Sequence, residues 1–274
     1  MIGIFDSGFG GLTVMKEYLK KYPEFDYVYL GDQANSPYGP HSKERVERLT
    51  LKGIDFLVQQ GCHLIIVACN TASADALRAA QAKYQGSPVI LGVIVPAVEE
   101  ALKQSRFGNV GLLATRSTVD SKAYDRELEK YGQLYSAKDK RARDKVKVYP
   151  QACPLLVPLI EEGLIKNPAT RMILRNYLRP LKHAKIDTLI LGCTHYPLLE
   201  KEVIRMMGKN CQVISSASAA VRAIGSYFER HPSLLEQLSK NATRRYLTTD
   251  SVERFTELGS RFLGQKIEVE KVDI

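Results

Sequence analysis

Seven short apolar runs, separated by stretches of helical periodicity, restrict the fold of this 274-residue chain more than any other feature of its sequence. The runs cover residues 2–5, 27–30, 63–68, 88–94, 109–114, 188–192 and 211–214. Helices are predicted between them, after Gly11 and over residues 42–60, 72–85 and 119–131. Strands that alternate with helices are typical of α/β folds built on largely parallel sheets.

Two pairs of segments resemble each other when the sequence is compared with itself. The stretch HLIIVACNTAS (residues 63–73) parallels DTLILGCTHYP (residues 187–197), and IGIFDSGFGGLTV parallels VGLLATRSTV. These matches predict two similar α/β halves, each with a cysteine where a strand ends. If the halves face each other, the two thiols face each other too.

Polar or small residues follow five of the predicted strands, as DSGFGG, GDQANSPYG, CNTAS, TRST and CTHYP. Ligands of open α/β sheets bind beyond the carboxyl ends of the strands, so these ends predict a polar crevice. Cys69 stands between a strand and a helix predicted to begin near Thr71 or Ala72, where backbone N–H groups and the helix dipole can stabilise a thiolate, and Cys193 has the same position. A small packed cysteine is the commoner explanation for either one alone. Their matching contexts, with His195 two residues after Cys193, favour chemistry.

Composition excludes several classes of protein. The five cysteines form no CxxC pair, and Cys-x-His has no visible third or fourth ligand, so neither a disulfide framework nor a zinc site is expected. No apolar run approaches the ~18 residues of a membrane span, and a soluble, cytoplasmic protein is predicted. The net charge of +9 is partly local, in the basic segment 138–147. Without interleaved aromatic residues, this segment gives little support for a nucleic-acid or protein partner.

Three reactions can use two strand-end thiols. Redox exchange prefers adjacent or CxxC cysteines. Acyl transfer needs one cysteine with a histidine as its base, as Cys193 and His195 would supply, and leaves Cys69 idle. Two-base proton transfer at a stereocentre, in which one thiolate removes a proton and a thiol on the other face supplies one, uses both. A basic binding protein is a non-enzymatic alternative.

The motifs that carry these residues resemble the bacterial glutamate racemases over nearly the whole chain. They are IFDSGFGGLTV, GDQANSPYG, VACNTAS, ACPLLVPLIEEGL, LILGCTHYPLL and RFLGQKIEVEKVD. The resemblance implies interconversion of L- and D-glutamate without a cofactor and without a metal, supplying D-glutamate for peptidoglycan. An aspartate or other amino-acid racemase of the same superfamily is the closest alternative, because one methylene is worth only ~1–3 kcal/mol of discrimination in a pocket.

The resemblance also implies roles for individual residues. Cys69 resembles the base that deprotonates D-glutamate, Cys193 the base that deprotonates L-glutamate, and Asp6, His195 and Glu161 the assisting groups. Substrate contacts are implied for Asp6, Ser7, Pro37, Tyr38, Gly39, Cys69, Asn70, Thr71, Thr115, Thr118, Cys193, Thr194 and His195.

The implied architecture is two pseudo-symmetric flavodoxin-like domains with the active site in the cleft between them. The first domain would comprise residues 1–95 and 206–274, and the second residues 96–205. A homodimer without a membrane partner is the implied assembly. The chain departs from the family pattern at residues 33–36, at Val95, at Ala114 and at Ser215, where fine specificity and regulation are the properties affected.

Overall fold

The computed structural model describes residues 1–138 and 146–274, so most of the basic segment 138–147 lies outside the described residues. The chain divides into two units, each with its own core. Unit 1 comprises Met1–Val93 and Ala220–Ile274, and unit 2 comprises Ile94–Ala219. Within the described ranges, no helix has the length and apolar character needed to cross a bilayer.

Ten strands and thirteen α-helices form the described structure. The strands are β1 (Ile2–Asp6), β2 (Tyr27–Gly31), β3 (Leu64–Val67), β4 (Val89–Gly92), β5 (Asn109–Ala114), β6 (Lys147–Ala152), β7 (Thr188–Gly192), β8 (Gln212–Ser215), β9 (Arg244–Thr248) and β10 (Val269–Lys271). The helices are α1 (Leu12–Lys21), α2 (Lys43–Gln59), α3 (Asn70–Asp75), α4 (Leu77–Tyr84), α5 (Ile94–Gln104), α6 (Arg116–Asp120), α7 (Ala123–Lys138), α8 (Leu156–Glu161), α9 (Pro168–His183), α10 (Glu200–Met207), α11 (Ser216–Arg230), α12 (Pro232–Gln237) and α13 (Val252–Leu263).

Each unit contains a parallel sheet with the same central strand order. Unit 1 has the order β10-β9-β2-β1-β3-β4, and unit 2 has β6-β5-β7-β8. The four strands β2-β1-β3-β4 therefore correspond one by one to β6-β5-β7-β8, a flavodoxin-like arrangement in both units. The predicted α/β class with two similar halves is confirmed, and Cys69 and Cys193 follow corresponding strands.

Helix α2 shows how the core of unit 1 forms. Ser42 caps its first turn by accepting a hydrogen bond from Arg45 N at 3.4 Å. Its buried face packs on strand side chains that include Phe5. A Cβ on Gly53 would lie 2.2 Å from Phe5 Cε2, so only glycine permits this close approach of helix to sheet.

The contacts divide the chain at other positions than the sequence predicts. The predicted boundaries follow Val95 and Arg205, whereas the observed ones follow Val93 and Ala219. Residues 206–219 lie in unit 2 because β8 hydrogen-bonds to β7, with Leu189 opposite Val213.

Local differences from the prediction have identifiable causes. The sequence did not reveal β6, β9 or β10, which are edge or near-edge strands with partly exposed residues and little apolar periodicity. The helix predicted over residues 72–85 is two helices that meet at Ala76, and the region 119–131 likewise contains parts of α6 and α7. Lys122, between α6 and α7, has a φ of 56°, which ends one helix and redirects the chain.

A buried carboxylate joins the two chain segments of unit 1. Asp26, before β2, accepts hydrogen bonds from Asn241 N and Nδ2 and from Thr243 N and Oγ1, over 2.8–3.1 Å. Burial alone would raise the pKa of Asp26, but the hydrogen bonds from Thr243 and Asn241 outweigh it and hold the pKa well below its ordinary value. The ionised carboxylate therefore stabilises the entry into β9.

We expect Asp26→Asn to lower the free energy of unfolding by about 2–4 kcal/mol, because an amide NH₂ would face N–H donors. Urea denaturation of both proteins measures the difference. Since the pKa of the folded-state carboxyl is depressed, its contribution is present above the ordinary value of 3.8 and is lost as the pH falls further. The gap between the two proteins should therefore narrow in acid; a gap that widens would contradict the network.

Candidate active site

In unit 1, three site residues meet where β1 and β3 end. Phe5 pairs with Val67 in the parallel ladder, so the residues that follow the two strands emerge at the same edge. The Cys69 thiol donates a hydrogen bond to Ser7 Oγ at 3.6 Å and accepts one from Ala72 N at 3.5 Å. Cys69 thus caps α3, with its sulfur facing the backbone N–H groups that favour the thiolate.

Asp6, the last residue of β1, is fully buried. Its Oδ2 accepts a hydrogen bond from Gly8 N at 3.1 Å, and the Tyr29 hydroxyl donates to Gly8 O at 2.8 Å. A Cβ on Gly11 would lie 2.6 Å from Asp6 Cβ and 2.8 Å from Tyr29 Oη. Glycine is therefore required at residue 11 for the turn to hold the Asp6 carboxylate in place.

The segment after β2 is held by a residue that the sequence analysis missed. Asp32 Oδ2 accepts a 2.7 Å hydrogen bond from the Tyr38 hydroxyl, and its Oδ1 accepts a 2.8 Å bond from Thr249 Oγ1. Burial and the Asp32 carboxylate both raise the pKa of Tyr38. The Tyr38 hydroxyl is thus hydrogen-bonded within the protein, and Pro37 and Gly39 flank Tyr38 in the sequence. An aspartate directly after an apolar strand was the available signal.

In unit 2, three side chains form a series at the end of β7. His195 Nδ1 lies 3.9 Å from Cys193 Sγ, and His195 Nε2 lies 3.0 Å from Glu161 Oε1. Glu161 is the last residue of α8, which places its carboxylate against the buried imidazole. The arrangement links thiol, imidazole and carboxylate.

The charge of His195 depends on both neighbours. Burial alone would lower the pKa of His195, but its hydrogen bonds to Cys193 and Glu161 outweigh burial and raise the pKa from 6.5 to about 10. The imidazole is therefore protonated at neutral pH. It can stabilise a thiolate on Cys193, with Glu161 balancing the charge.

Threonine hydroxyls and a tyrosine surround this series. Thr194 Oγ1 lies 3.5 Å from His195 Nδ1, and the Tyr196 hydroxyl donates to Cys153 O at 3.1 Å. At the end of β5, Thr115 caps α6 by accepting from Thr118 N at 3.3 Å, and the two hydroxyl oxygens lie 3.0 Å apart. Hydroxyls at strand ends are donors suited to a substrate carboxylate.

Comparison with known proteins agrees with these motifs. The Asp/Glu/Hydantoin racemase family matches residues 11–224. A glutamate racemase of Geobacter metallireducens is 41% identical over 97% of this chain and 93% of its own length. The chain belongs to this racemase family.

Solved structures of the racemase family have the same architecture. A glutamate racemase of Bacillus anthracis gives a TM-score of 0.89 at 35% identity, covering 100% of this chain and 97% of its own. The Francisella tularensis glutamate racemase, solved in complex with D-glutamate, gives 0.84 at 30% identity, covering 99% and 97%. The resemblance to bacterial glutamate racemases is confirmed.

The predicted site residues of this racemase-family chain fall into two groups. The structure brings Asp6, Ser7 and Cys69 together in unit 1, with Asn70 and Thr71 buried in the first turn of α3. In unit 2 it brings together Glu161, Cys193, Thr194 and His195, and it pairs Thr115 with Thr118. Their substrate contacts stay predictions. No three His, Cys, Asp or Glu side chains form a potential metal site in residues 1–138 and 146–274.

We expect Glu161→Gln to lower the pKa of His195 from about 10 towards 6.5, because the amide removes one of two groups that favour the imidazolium. Histidine side-chain NMR measures this pKa. With a raised folded-state pKa, the imidazolium stabilises the protein fully below 6.5, and the effect is lost as the pH rises through about 10. The loss of stability caused by Glu161→Gln should therefore be largest below pH 6.5. An unchanged His195 titration would contradict the role of Glu161.

Proposed function

We propose that this protein interconverts L- and D-glutamate by two-base proton transfer, with Cys69 and Cys193 acting on opposite faces of Cα. The observation that supports it most is the equivalent placement of the two thiols, within two residues of the ends of the corresponding strands β3 and β7. Glutamate racemases that match this chain over nearly their full length support glutamate as the substrate.

In the proposed direction from L- to D-glutamate, the Cys193 thiolate removes the Cα proton and the Cys69 thiol delivers its own proton to the opposite face. Cys193 ends as a thiol and Cys69 as a thiolate, so the reverse reaction exchanges their roles. Proton balance needs no oxidant and no co-reactant. Thiols suit this step because their pKa is close to the working pH.

The groups that assist Cys193 differ from those that assist Cys69. Protonated His195 stabilises the Cys193 thiolate, and Glu161 holds the imidazole through the 3.0 Å contact. Cys69 relies on Ser7 Oγ, on the backbone of α3 and on the buried Asp6. Carbanion character at Cα is spread onto the substrate carboxylate, where hydroxyl and N–H donors are worth ~2.7–4 kcal/mol each in comparable sites.

The Cys193–His195–Glu161 series is also the arrangement that activates a nucleophilic thiol. An acyl transferase would therefore use the same three side chains, but acyl transfer would not require Cys69. It predicts a covalent acyl group on Cys193, detectable by mass spectrometry. The proposal predicts no covalent intermediate.

The proposal extends to a cytoplasmic role in supplying D-glutamate for peptidoglycan, on the basis of the family alone. The homodimer implied by the same resemblance also stays a prediction.

Incubation with L-glutamate in D₂O, without added cofactor, tests the reaction. Because the base that removes hydrogen is not the acid that returns it, D-glutamate formed at low conversion should carry deuterium at Cα while unreacted L-glutamate does not. Chiral chromatography with mass detection measures both. L-Aspartate and L-alanine serve as comparison substrates. Deuterium in unreacted L-glutamate at early times would contradict the two-base mechanism. Faster turnover of L-aspartate than of L-glutamate would contradict glutamate as the substrate.

Serine variants test each thiol. Cys69→Ser and Cys193→Ser should each lower kcat by about 10²–10⁴-fold, because a hydroxyl is a far weaker acid than a thiol. Cys62→Ser and Cys211→Ser are matched controls, one in each unit, since burial raises the pKa of these thiols to about 11 and about 12. The controls should keep near-normal kcat. Full racemase activity of Cys69→Ser would contradict the two-base mechanism, because Cys193 alone would then have to serve both faces of Cα.

A further inference from the structure

Most of the net positive charge of the protein lies in unit 2. Unit 2 contains 21 of the 39 Lys and Arg residues but only 13 of the 30 Asp and Glu residues, for a net charge of +8. Unit 1 contains 18 and 17, which leaves +1. Residues 168–209 alone carry eight Lys and Arg against three acidic residues. Glutamate racemisation by the groups described above does not use this charge.

A groove between α9 and α10 carries part of the excess. This basic groove has a volume of about 650 Å³ and is lined by Arg175, Asn176, Leu178, Arg179, Lys182, His183, Arg205 and Met206. None of these residues is acidic. Arg205 pairs with Glu202 at its edge, whereas no described carboxylate forms an ion pair with Arg175 or Arg179.

A second cavity, of about 560 Å³, continues the basic groove through the shared residue Lys182. Lys185, Phe107 and Asp187 also line it, and Asp187 is the one carboxylate among its described lining residues. The Phe107 side chain is 63% exposed, and its loop is fixed because Arg106 N and Phe107 N both donate to Asp187 Oδ2. An exposed aromatic ring on a fixed loop therefore shares a cavity with Lys182 and Lys185.

A third cavity, on α2, is not predominantly basic. This cavity, of about 500 Å³, is lined by three cations (Lys43, Arg48 and Lys52) and by three carboxylates (Glu44, Glu47 and Asp55). Such a surface has no net attraction for an anion. Charge thus distinguishes the groove of unit 2 from a general surface depression.

We propose that the basic groove and the Phe107 cavity bind single-stranded nucleic acid. Phosphates would contact Arg175, Arg179, Lys182 and Lys185, and one base would stack on Phe107. The inference is independent of the proposed racemase reaction, since it uses none of the same residues. It also differs from binding through the segment 138–147.

The chemistry favours this ligand over other anions. Arginine forks bind phosphate oxygens with two hydrogen bonds, and Arg175 to Lys182 spans ~10 Å along α9, enough for more than one phosphate. Non-specific single-strand sites combine a basic track with an aromatic ring on which a base stacks. An acidic peptide has the negative charge but no base to stack on the exposed Phe107 ring.

Fluorescence anisotropy with the full-length protein and a labelled 12-nucleotide oligothymidylate tests the proposal. The logarithm of the binding constant should fall with the logarithm of salt concentration with a slope of about −3, as expected for four contacts on a single strand. The double variant Arg175→Glu/Arg179→Glu should weaken binding at least tenfold and reduce this slope by about half. Arg254→Glu/Arg261→Glu on α13 makes the same charge change in unit 1 and is the matched control.

Stacking has its own test. Phe107→Leu keeps an apolar side chain and should weaken binding of the oligothymidylate by about tenfold. An abasic oligomer of equal length should bind this variant and the unmodified protein equally, because it has phosphates but no bases. Thermal unfolding of every variant, unchanged within a few degrees, verifies that each is folded.

Three results would overturn the proposal. They are no binding of the oligothymidylate at low salt, equal weakening by the α13 control and the α9 variant, and tighter binding of duplex DNA or poly-L-aspartate than of the single strand. Because none of these measurements uses glutamate, a failure here is separate from a failure of the racemase assignment.

Discussion

Parallel hydrogen bonding in register is the interaction on which both halves of the molecule depend. In unit 1, Phe5 lies opposite Val67, and Ala68 N donates to Phe5 O at 2.8 Å. In unit 2, Ala114 lies opposite Gly192. Because parallel strands deliver their carboxyl ends to one edge, this pairing determines which residues can meet beyond the sheet. A shift of one residue would turn the strand side chains to the other face and separate each thiol from its neighbours.

The two strand-end sites use the same backbone plan with different side chains. Cys69 has a hydroxyl and backbone N–H groups around its sulfur, and its carboxylate neighbour Asp6 is held by the turn that follows β1. Cys193 instead faces a charged imidazole that is tied to Glu161. Two thiols in equivalent positions therefore have different neighbours, a hydroxyl and a backbone N–H at Cys69 and an imidazole bound to a carboxylate at Cys193.

The sequence predicted the central strands well and the periphery poorly, for a physical reason. Buried parallel strands such as β7 are continuous apolar runs, so Thr188–Gly192 is recognisable without any partner. Strand β9 begins with Arg244 and Arg245, and its pairing with β2 becomes visible only in three dimensions. The same holds for the site: strand-end cysteines follow from pattern, but the contact of Glu161 with His195 joins residues 34 positions apart. Asp32 has a nearby partner in Tyr38, but its bond to Thr249 joins residues 217 positions apart and is visible only in the structure.

Unit 2 interrupts unit 1 in the chain, and this arrangement sets an order of assembly during synthesis. The four central strands of unit 1 lie within the first 93 residues, yet β2 cannot acquire its neighbour β9 until residue 244 has been made. Until then β2 is an open edge, able to pair with another chain. All strands of unit 2 are complete before β9 emerges, so its sheet can close while unit 1 is still waiting. The Asp26 network needs Asn241 and Thr243, so it can stabilise β2 only after most of the chain has been synthesised.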